Sequence, residues 1–509
     1  MNNNKNKGVT VFFIIIFELI FATICLAIFA LPWSLKSYPM NLPFTVFSVL
    51  TTETSGADSS TFISALKSFI IPGTVLWIFV NLILFLIFKF KSLRLKKILK
   101  ISMIFKSCVI VLQLFITIVV LKAWNYPKIL YEKFSEPIDS DFYRENFISK
   151  HDVVITPPQK KQNLIVIFME SMESSYADIK NGGVFEENLI PNLTRLARQN
   201  VNFSESELLG GGENLQCNSW TVAGLLGKLM AVPYYFPFVK NRKEKTVECL
   251  PSALSLADIL KNDGYNCIFS MGSEKQFENR DYLLEQHGYE IHDIAWYKEN
   301  NYLDKNYKVF WGFEDAKLYD FAKMELENLS QKEEPFLYSF ITVDTHFPYG
   351  FVCSECKDEL PHQIQNVIRC ADNLVNNFIE WCKTQSWYEN TTILITGDHN
   401  YLSAPMNNFI KELSPLKFDE VVLKRKVLDV VINPAVEISK SDQKFRRFSS
   451  FDLMPTILEA IGYKFDKGGL QFGRSLLSEE KTLVEKYDVS EIEENILKPT
   501  LQYNALKMK

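Results

Sequence analysis

Residues 392–399 read Thr-Ile-Leu-Ile-Thr-Gly-Asp-His, an apolar stretch that runs straight into a carboxylate and an imidazole. Two further apolar stretches, 163–169 and 336–343, also end at polar residues that can bind a metal. Continuous apolar runs of this length, bounded by turn residues, are typical of strands buried on both faces of a parallel sheet. The three stretches therefore predict an α/β domain built on such a sheet.

The polar residues that follow these three strands are predicted to meet in space. Ligands of open α/β sheets bind outside the carboxyl ends of the strands, so residues far apart in sequence become neighbours there. The residues in question are Glu170, His346, Asp398 and His399. Taken singly, each has an ordinary explanation, such as a helix cap or a hydrogen-bonded loop histidine. Their shared position is the main reason to interpret the chain as an enzyme.

Strands and helices alternate through the rest of this region. Predicted helices cover 191–199, 220–229, 254–261, 313–329, 363–383 and 453–461. Further strands are predicted at 201–203, 265–271 and 426–432. This alternation indicates a doubly wound α/β sheet.

Three apolar segments near the N-terminus, 9–31, 68–88 and 101–121, each approach the ~20 residues that a membrane-spanning helix needs. The first lacks a small-residue cleavage site, which favours an anchor over a signal peptide. We therefore expect an integral membrane protein. The predicted parts are a three-span region over 1–122, a connector over 123–161, a catalytic domain over 162–475 and a C-terminal tail over 476–509.

Positive charges predict how these spans are oriented. Lys5 and Lys7 precede the first span, and six basic residues lie between the second and third. The positive-inside rule then puts the N-terminus in the cytosol and everything after Trp124 outside, with Trp33 and Trp124 as interfacial residues. Lys106 interrupts the third span, and without that span the large domain would be cytosolic.

Glu18 lies inside the first span, where a carboxylate is costly. One interpretation is a contact for a lipid headgroup or a transport path. The favoured one is a structural residue that is protonated or paired with another helix, for instance through Lys106.

The composition gives no support for a nucleic-acid partner and limits how the cysteines can pair. The net charge is −5, so nucleic-acid binding has no electrostatic support. Seven cysteines lie in the part predicted to be exported, an odd number that leaves at least one thiol unpaired within the chain. We predict bridges from Cys356 or Cys353 to Cys370, and from Cys249 to Cys267. The Cys-Ser-Glu-Cys spacing of the first pair is also that of a redox pair or half a zinc site.

A nucleophile is predicted in the segment that follows the glycines at 210–212. Ser219 and Thr221 both lie where a helix is expected to begin, and a helix N-terminus suits phosphate. Metal coordination lowers the pKa of such a hydroxyl and makes an alkoxide available. Either residue could instead be a simple N-cap, and the residues alone do not choose between them. Two carboxylates with an imidazole favour Zn²⁺ or Mn²⁺ over Mg²⁺.

Seven segments, taken together, resemble the alkaline-phosphatase/sulfatase superfamily. Within it the chain is similar to the membrane-anchored phosphoglycerol transferases, which include lipoteichoic acid synthase and the enzyme that decorates osmoregulated periplasmic glucans. The segments occur in family order and are NLIVIFMESMESS from Asn163, NSWTVAGLLG from Asn218, FENRD from Phe277, FWGFEDAKLYDFA from Phe310, VDTHFPYG from Val343, LITGDHN from Leu394 and FDLMPTILEAIG from Phe451. The resemblance implies a three-layer α/β/α domain with a mostly parallel sheet.

The resemblance also implies roles for individual residues. It implies that one divalent metal, Mn²⁺ or Zn²⁺, is held by Glu170, Thr221, Asp398 and His399. Thr221 would also be the nucleophile that becomes phosphorylated, and His346 would hold or protonate the substrate phosphate.

A second group of residues matches the family's substrate pocket. Arg280 corresponds to a headgroup-binding arginine, and Trp311 and Asp315 are expected to line the same pocket. The family's tryptophan two positions before that arginine is Glu278 here, which puts the acceptor side in doubt.

The implied function is transfer of phosphoglycerol from phosphatidylglycerol to a periplasmic or cell-surface glycan. The enzyme would lie in the bacterial inner membrane with its catalytic domain on the extracytoplasmic side. One alternative is a phosphoethanolamine transferase acting on lipid A or another glycan. A sulfatase needs a Cys or Ser precursor where Thr221 stands. Outside enzymes, the alternative is a scaffold or pseudoenzyme in a glycan-export complex. The sequence predicts neither the acceptor nor the oligomeric state.

Overall fold

The computed structural model describes most of the chain, and the description has several gaps. The described residues are 2–37, 63–64, 66–90, 95–123, 135–234, 249–347, 349–401 and 404–508. Trp124, residues 38–62 and the first part of the predicted connector lie outside them. The chain forms two compact units, one within 1–45 and 58–134 and one within 46–57 and 135–509.

The first unit contains three long apolar helices: α1 (Asn2–Ser37), α2 (Ile71–Phe90) and α3 (Leu95–Ala123). A π-helical turn, Leu66–Ile70, precedes α2. Segments long and apolar enough to cross a membrane cover Phe12–Trp33, Leu66–Leu86 and Lys100–Val120. The prediction of three apolar N-terminal helices is confirmed.

A polar cluster links these three helices. Lys106 of α3 is buried, with 1% of its surface exposed. Its ammonium donates to the carboxylate of Glu18 in α1 and, at 2.7 Å, to Oδ1 of Asn81 in α2. It also lies 5.1 Å from the ring centroid of Phe21. The pairing of Glu18 with Lys106 is confirmed, and each charge compensates the other in an apolar setting.

The second unit is built on a mixed seven-stranded sheet. The strands of this unit are β1 (Ile155–Thr156), β2 (Asn163–Met169), β3 (Gly211–Gly212), β4 (Asn266–Met271), β5 (Glu290–His292), β6 (Phe336–Ile341), β7 (Thr391–Gly397), β8 (Val427–Ile432), β9 (Lys464–Phe465), β10 (Gly469–Leu470) and β11 (Gly473–Arg474). The sheet has the order β3-β8-β7-β2-β6-β4-β5, and β1–β9 and β10–β11 form two small antiparallel pairs.

The five strands from β7 to β5 are parallel, while β8 and β3 are antiparallel to their neighbours. Every residue of β2, β6, β7 and β8 is buried. Burial on both faces is expected of strands between two helical layers, and it explains why these segments are apolar throughout. The mostly parallel α/β sheet predicted from the sequence is therefore confirmed.

Fourteen helices accompany the sheet among the described residues of this unit. They are α4 (Asp141–Asn146), α5 (Pro191–Gln199), α6 (Thr221–Met230), α7 (Leu256–Asn262), α8 (Arg280–Gln286), α9 (Ile294–Glu299), α10 (Asp315–Leu329), α11 (Gln363–Lys383), α12 (Ala404–Leu413), α13 (Phe418–Lys424), α14 (Leu453–Ala460), α15 (Leu483–Lys486), α16 (Val489–Ile496) and α17 (Leu501–Ala505). The predicted helices are present within two residues at each end. The strand predicted at 201–203 is wrong, since Val201 makes only an isolated bridge to Val431.

The segments before and after the predicted catalytic domain pack within this same unit. Ile138 bridges Thr500, and the hydroxyl of Tyr143 donates to the carbonyl of Ile496 at 2.9 Å. The pairing of β1 with β9 brings residues near 155 to residues near 465. The predicted boundaries at 161/162 and 475/476 thus lie inside one compact unit.

One of the two predicted disulfides is present. Cys356 is bonded to Cys370, as one of the two predicted alternatives requires. The predicted Cys249–Cys267 bridge is wrong, because both residues are buried free thiols. The sulfur of Cys267 lies against the carbonyl of Ala257 in α7, whereas the backbone of Cys249 is held by Gln286 and His287.

Candidate active site

The register of β2 and β7 brings two of the predicted metal ligands together. Met169 of β2 pairs with Gly397 of β7, so the next residues along each strand, Glu170 and Asp398, emerge side by side. Both strands are parallel, and their carboxyl ends therefore lie at the same edge of the sheet.

Four predicted site residues converge at this edge. Thr221 is the first residue of α6, and its Oγ1 lies 3.3 Å from Glu170 Oε2 and 3.5 Å from His399 Nε2. His399 Nε2 lies 3.7 Å from Glu170 Oε1 and 3.3 Å from Asp398 Oδ2. The hydroxyl, the imidazole and the two carboxylates thus surround one point.

Hydrogen bonds hold these side chains in place. The backbone N–H groups of Ser171 and His399 donate to Asp398 Oδ1 at 2.7 and 2.8 Å. His399 Nδ1 lies 2.7 Å from the carbonyl oxygen of Asn400. Only an N–H can pair with a carbonyl, so Nδ1 carries the proton and Nε2 keeps its lone pair for the site. The hydroxyl of Ser171 donates to Glu170 Oε1 at 2.6 Å.

The donor set fits a divalent cation. Glu170, Asp398 and His399 each offer a ligand atom, and these atoms lie within 4.8 Å of one another. Asp398 Oδ2 is buried and has no hydrogen-bond partner among the described residues. An unpaired buried carboxylate oxygen is costly unless something binds it. Carboxylate, imidazole and hydroxyl together suit a borderline cation such as Zn²⁺ or Mn²⁺.

The electrostatics of the site also favour a bound divalent cation. Burial raises the pKa of Asp398 to about 7, and the neighbouring Glu170 adds to the rise. Burial lowers the pKa of His399, but Asp398 and Glu170 outweigh it and the net shift is upward. The protein has thus placed excess negative charge in an apolar setting, which a dication would neutralise.

Thr221, and not Ser219, lies with the metal-binding group. The hydroxyl of Ser219 donates to the carbonyl of Gln216 at 2.9 Å, in the 3₁₀ turn before α6.

Gly224, one turn into α6, allows the helix to pack closely against the loop at Asp398. A Cβ added at Gly224 would lie 2.3 Å from the carbonyl oxygen of Asp398. The helix backbone therefore lies directly against the loop that carries two of the ligands.

His346 lies on the loop after β6. Its Nδ1 is 3.0 Å from the carbonyl of Phe347, and its ring packs against Trp311 with centroids 4.6 Å apart. Desolvation by its surroundings lowers the pKa of His346 to about 4. The imidazole is therefore neutral near pH 7, with Nε2 as its acceptor.

A pocket connects His346 to the metal-binding group. Its lining includes Glu170, Thr221, Arg280, Trp311 and His346. Two of these residues bring donors that the protein leaves unused, as judged from the described residues: Trp311 Nε1 is buried without a partner, and Arg280 uses Nε and Nη2 but not Nη1. Such donors suit phosphate and hydroxyl oxygens.

Two lining residues of this pocket, Ser273 and Phe277, were not predicted from the sequence. Ser273 accepts a hydrogen bond from Arg280, and the Phe277 ring packs against Trp311 with centroids 5.1 Å apart. Phe277 lies inside the quoted FENRD segment, and that membership was the only indication in the sequence that it lines the pocket.

Asp315 does not join the pocket. Its carboxylate accepts hydrogen bonds from the backbone N–H groups of Val343 and Asp344, at 2.7 and 3.1 Å. Its own N–H donates to the Asp344 carboxylate at 3.1 Å. Burial raises the pKa of both carboxyl groups. Asp315 therefore holds the loop that carries His346, and the structure does not bring its carboxylate to the other predicted site residues.

Glu278 and Asn279 form an unusual turn beside Arg280. Their φ angles are 55° and 58°, in the left-handed region that non-glycine residues seldom adopt. Burial raises the pKa of Glu278 to about 7, against the opposing effects of Arg280 and the backbone N–H of Val222. Two strained residues in succession are a feature of functional turns, and no sequence pattern revealed them.

This arrangement of sheet, helix and edge residues is that of the alkaline-phosphatase-like class of α/β domains. The sulfatase family model matches residues 162–463, and the chain belongs to the sulfatase family. Enzymes of this superfamily bind a divalent metal, and Glu170, Asp398 and His399 form a site consistent with one. The predicted family is confirmed.

The chain is similar in sequence to two curated phosphoglycerol transferases. The chain is similar to phosphoglycerol transferase I of Escherichia coli O6:K15:H31, with 31% identity over 250 residues, 48% of this chain and 32% of that protein. It is also similar to phosphoglycerol transferase I of Citrobacter koseri, with 29% identity over 291 residues, 54% of this chain and 37% of that protein. The matched region thus spans about a third of the length of these relatives.

In fold, the chain is similar to the integral membrane protein lipooligosaccharide phosphoethanolamine transferase A of Neisseria meningitidis. The TM-score is 0.51 at 12% identity, over 88% of this chain and 84% of that one. A likeness at this identity concerns the fold. With three apolar helices ahead of the catalytic unit, the chain is a membrane-associated member of the family.

Proposed function

We propose that this chain transfers phosphoglycerol from phosphatidylglycerol to a periplasmic or cell-surface glycan, through a covalent intermediate on Thr221. The observation that carries the proposal is the position of the Thr221 hydroxyl, 3.3 Å from Glu170 and 3.5 Å from His399 at the start of α6. A hydroxyl among metal ligands at a helix N-terminus is suited to attack phosphorus. The similarity to phosphoglycerol transferases I supports the choice of transferred group.

The proposed cofactor is one Mn²⁺ or Zn²⁺ ion, held by Glu170, Thr221, Asp398 and His399. When bound, it would lower the pKa of the threonine hydroxyl and offset the negative charge of the phosphodiester. Ser171 and Asn400 keep Glu170 and His399 oriented toward this position.

The reaction is proposed to proceed in two displacements. In the first, Thr221 Oγ1 loses its proton and bonds to phosphorus, and the diacylglycerol oxygen leaves and takes up a proton. In the second, a glycan hydroxyl attacks the same phosphorus, and Thr221 Oγ1 leaves and regains its proton. His346, neutral because desolvation lowers its pKa to about 4, accepts the proton of the attacking hydroxyl through Nε2. Overall, one proton passes from the acceptor hydroxyl to diacylglycerol.

Arg280 and Trp311 are proposed to bind the headgroup. Both residues line the same pocket as Thr221, and their unused N–H donors suit the oxygens of a phosphoglycerol group. Asp315 is proposed to position His346 without contacting the substrate. Its carboxylate accepts hydrogen bonds from the N–H groups of Val343 and Asp344, in the loop that carries His346.

Phosphoethanolamine is the second candidate group, and one observation favours it. Glu278 places a carboxylate next to Arg280, where the resembling family carries a tryptophan, and a carboxylate can pair with an ammonium headgroup. Lipid A or another glycan would then be the acceptor.

The proposed location is the bacterial inner membrane, with several spans and an extracytoplasmic catalytic domain. Three helices of sufficient length and apolarity support the spans. The basic residues ahead of the first apolar span, at the start of α1, and those between the second and third spans support a cytosolic N-terminus. The donor lipid then lies in the same bilayer as the enzyme.

Headgroup release tests this proposal. The purified full chain, loaded with Mn²⁺ or Zn²⁺, is incubated in mixed micelles with headgroup-labelled phosphatidylglycerol or phosphatidylethanolamine, and diacylglycerol is measured. We expect release from phosphatidylglycerol, lost in Thr221→Ala and kept in the matched control Ser219→Ala. Preference for phosphatidylethanolamine would favour the second candidate. Failure to bind either metal and to cleave either lipid would favour the scaffold alternative.

A further inference from the structure

Three cysteines lie together beyond the active-site pocket. Cys356 is disulfide-bonded to Cys370, and the sulfur of Cys353 lies 3.5 Å from the sulfur of Cys356. All three sulfur atoms lie within 4.8 Å of one another. A free thiol therefore lies next to a disulfide, close enough for one sulfur to displace the other once Cys353 moves into line with the Cys356–Cys370 bond.

We propose that these three residues, the cysteine triad, form a thiol–disulfide exchange site in which Cys356 changes partner from Cys370 to Cys353. The thiolate of Cys353 attacks Cys356 Sγ, a Cys353–Cys356 bond forms and the Cys356–Cys370 bond breaks. Cys370 leaves as a thiolate and takes up the proton that Cys353 released. The exchange consumes no electrons and needs no outside oxidant, so one thiol and one disulfide remain after it.

The burial of the three residues defines which of them the surroundings can reach. Cys353 and Cys370 are each 5% exposed, whereas Cys356 is partly exposed between the exposed residues Glu355 and Lys357. A small thiol in solution therefore attacks the triad at Cys356. Burial raises the pKa of the Cys353 thiol, and Asp344 adds to the rise, which keeps Cys353 protonated and the Cys356–Cys370 bridge as the resting linkage.

The two linkages hold the chain differently. Cys370 belongs to α11, and the other two cysteines belong to the loop between His346 and α11. The resting bridge ties this loop to the helix, whereas a Cys353–Cys356 bridge closes only within the loop. The exchange therefore removes the covalent link between the loop and α11, while the hydrogen bonds of Gln363 and Asn366 to the loop remain.

The loop is also tied to the residues around His346. The N–H of Gly350 donates to the His346 carbonyl at 3.0 Å, and the N–H of Phe351 donates to the Asp344 carbonyl at 2.7 Å. Cys353 follows two residues later. A change of linkage in the triad consequently alters the restraint on the segment that presents His346. The sulfur chemistry itself does not depend on the proposed transfer reaction.

Thiol mapping of the full-length chain tests the exchange. The protein is purified in detergent, incubated with a glutathione redox buffer, quenched with acid, unfolded and alkylated, and the labelled cysteines are identified by mass spectrometry. We expect one labelled thiol per triad throughout, shifting in part from Cys353 to Cys370 as the buffer catalyses exchange. A label that stays on Cys353 alone at every glutathione ratio would overturn the proposal.

Two serine variants trap the two linkages. Cys353→Ser should keep the Cys356–Cys370 bridge, and Cys370→Ser should form the Cys353–Cys356 bridge, so neither has a free thiol in the triad. Two alkylatable thiols in folded Cys370→Ser would contradict the exchange. Hydrogen exchange of the amides at 349–362 should be at least several-fold faster in Cys370→Ser than in Cys353→Ser. Equal rates would refute the proposal that losing the covalent link to α11 loosens the loop. If Cys370→Ser does not fold, the wild-type thiol map decides alone.

Discussion

The hydroxyl of Thr221 and the imidazole of His399 lie 3.5 Å apart, although 178 positions separate them in the chain. The first opens α6 and the second follows β7, so a helix N-terminus is packed onto the carboxyl edge of the parallel strands. This contact gives an ordinary threonine a histidine of the proposed metal site as its neighbour, and the proposed role of Thr221 as nucleophile depends on it.

Removal of the metal should destabilise the catalytic unit. Without a cation, Glu170 and Asp398 are two neighbouring buried carboxylates, and a ligand held at a hundred times its dissociation constant stabilises a fold by about 2.7 kcal/mol. We expect a chelator to lower the melting temperature by several degrees and added Mn²⁺ or Zn²⁺ to restore it.

His399→Ala should lose both metal and activity, since it removes the ligand nitrogen. Metal content measured by mass spectrometry checks this directly, and unchanged occupancy in the variant would refute the assignment. The control is His362→Ala, which lies at the start of α11 and pairs with the exposed Glu412.

Asp315→Asn should lower kcat/KM about tenfold while leaving the metal content intact. The variant loses the charge of an acceptor that holds two backbone amides of the His346 loop, and such charge-assisted bonds contribute about 1.5–3 kcal/mol. Asp320→Asn, on the exposed side of the same helix, is the matched control. Full activity of Asp315→Asn would show that the loop does not need this support.

The stability difference between wild type and His346→Asn should depend on pH. The pKa of His346 is depressed to about 4 in the fold, against an ordinary value of about 6.5. The unfolded chain therefore binds the proton more readily, and this contribution to stability is present above about pH 6.5 and is lost as the pH falls toward 4. Denaturant titrations at pH 7.5 and 5, both with chelator, measure it. A difference that does not change with pH would contradict the depressed pKa.

Glu18→Ala should be far more harmful than loss of the whole ion pair. The single change leaves the buried ammonium of Lys106 without its carboxylate, which costs on the order of 3–5 kcal/mol for buried pairs in soluble proteins. Glu18→Ala combined with Lys106→Leu removes both charges and should recover most of the loss. Yield of folded protein and reporter fusions after residue 135 give the two readouts, and a double variant no better than the single one would argue against the pairing.

Much of the fold could be predicted because strands buried on both faces are continuous apolar runs in the sequence. The segments around β2, β6 and β7 are apolar throughout, and parallel strands bring their carboxyl ends to one edge whatever the loops between them do. Glu170 and Asp398 could therefore be placed together without knowledge of the helices. The choice of Thr221 over Ser219 as the nucleophile needed the structure, because Ser219 lies two residues before Thr221, the first residue of the same helix.

Other features depend on geometry that has no local signature. Whether Asp315 faces the pocket or the loop behind it is decided by the path of the chain at 343–344, which follows only after α10 and β6. The left-handed turn at Glu278 and Asn279, next to Arg280, matches no local sequence pattern. The cysteine pairing was half right because spacing restricts short-range partners such as Cys356 and Cys370 but says nothing about residues on separate elements such as Cys249 and Cys267.

The proposed mechanism depends on covalent modification of Thr221, which mass spectrometry of the digested protein detects. The metal-loaded full chain is mixed with phosphatidylglycerol without acceptor, quenched in acid and digested. We expect a phosphoglycerol adduct on the peptide that contains Thr221, present in wild type and Ser219→Ala and absent from Thr221→Ala. Diacylglycerol release without any adduct on Thr221, or an adduct that persists in Thr221→Ala, would contradict it.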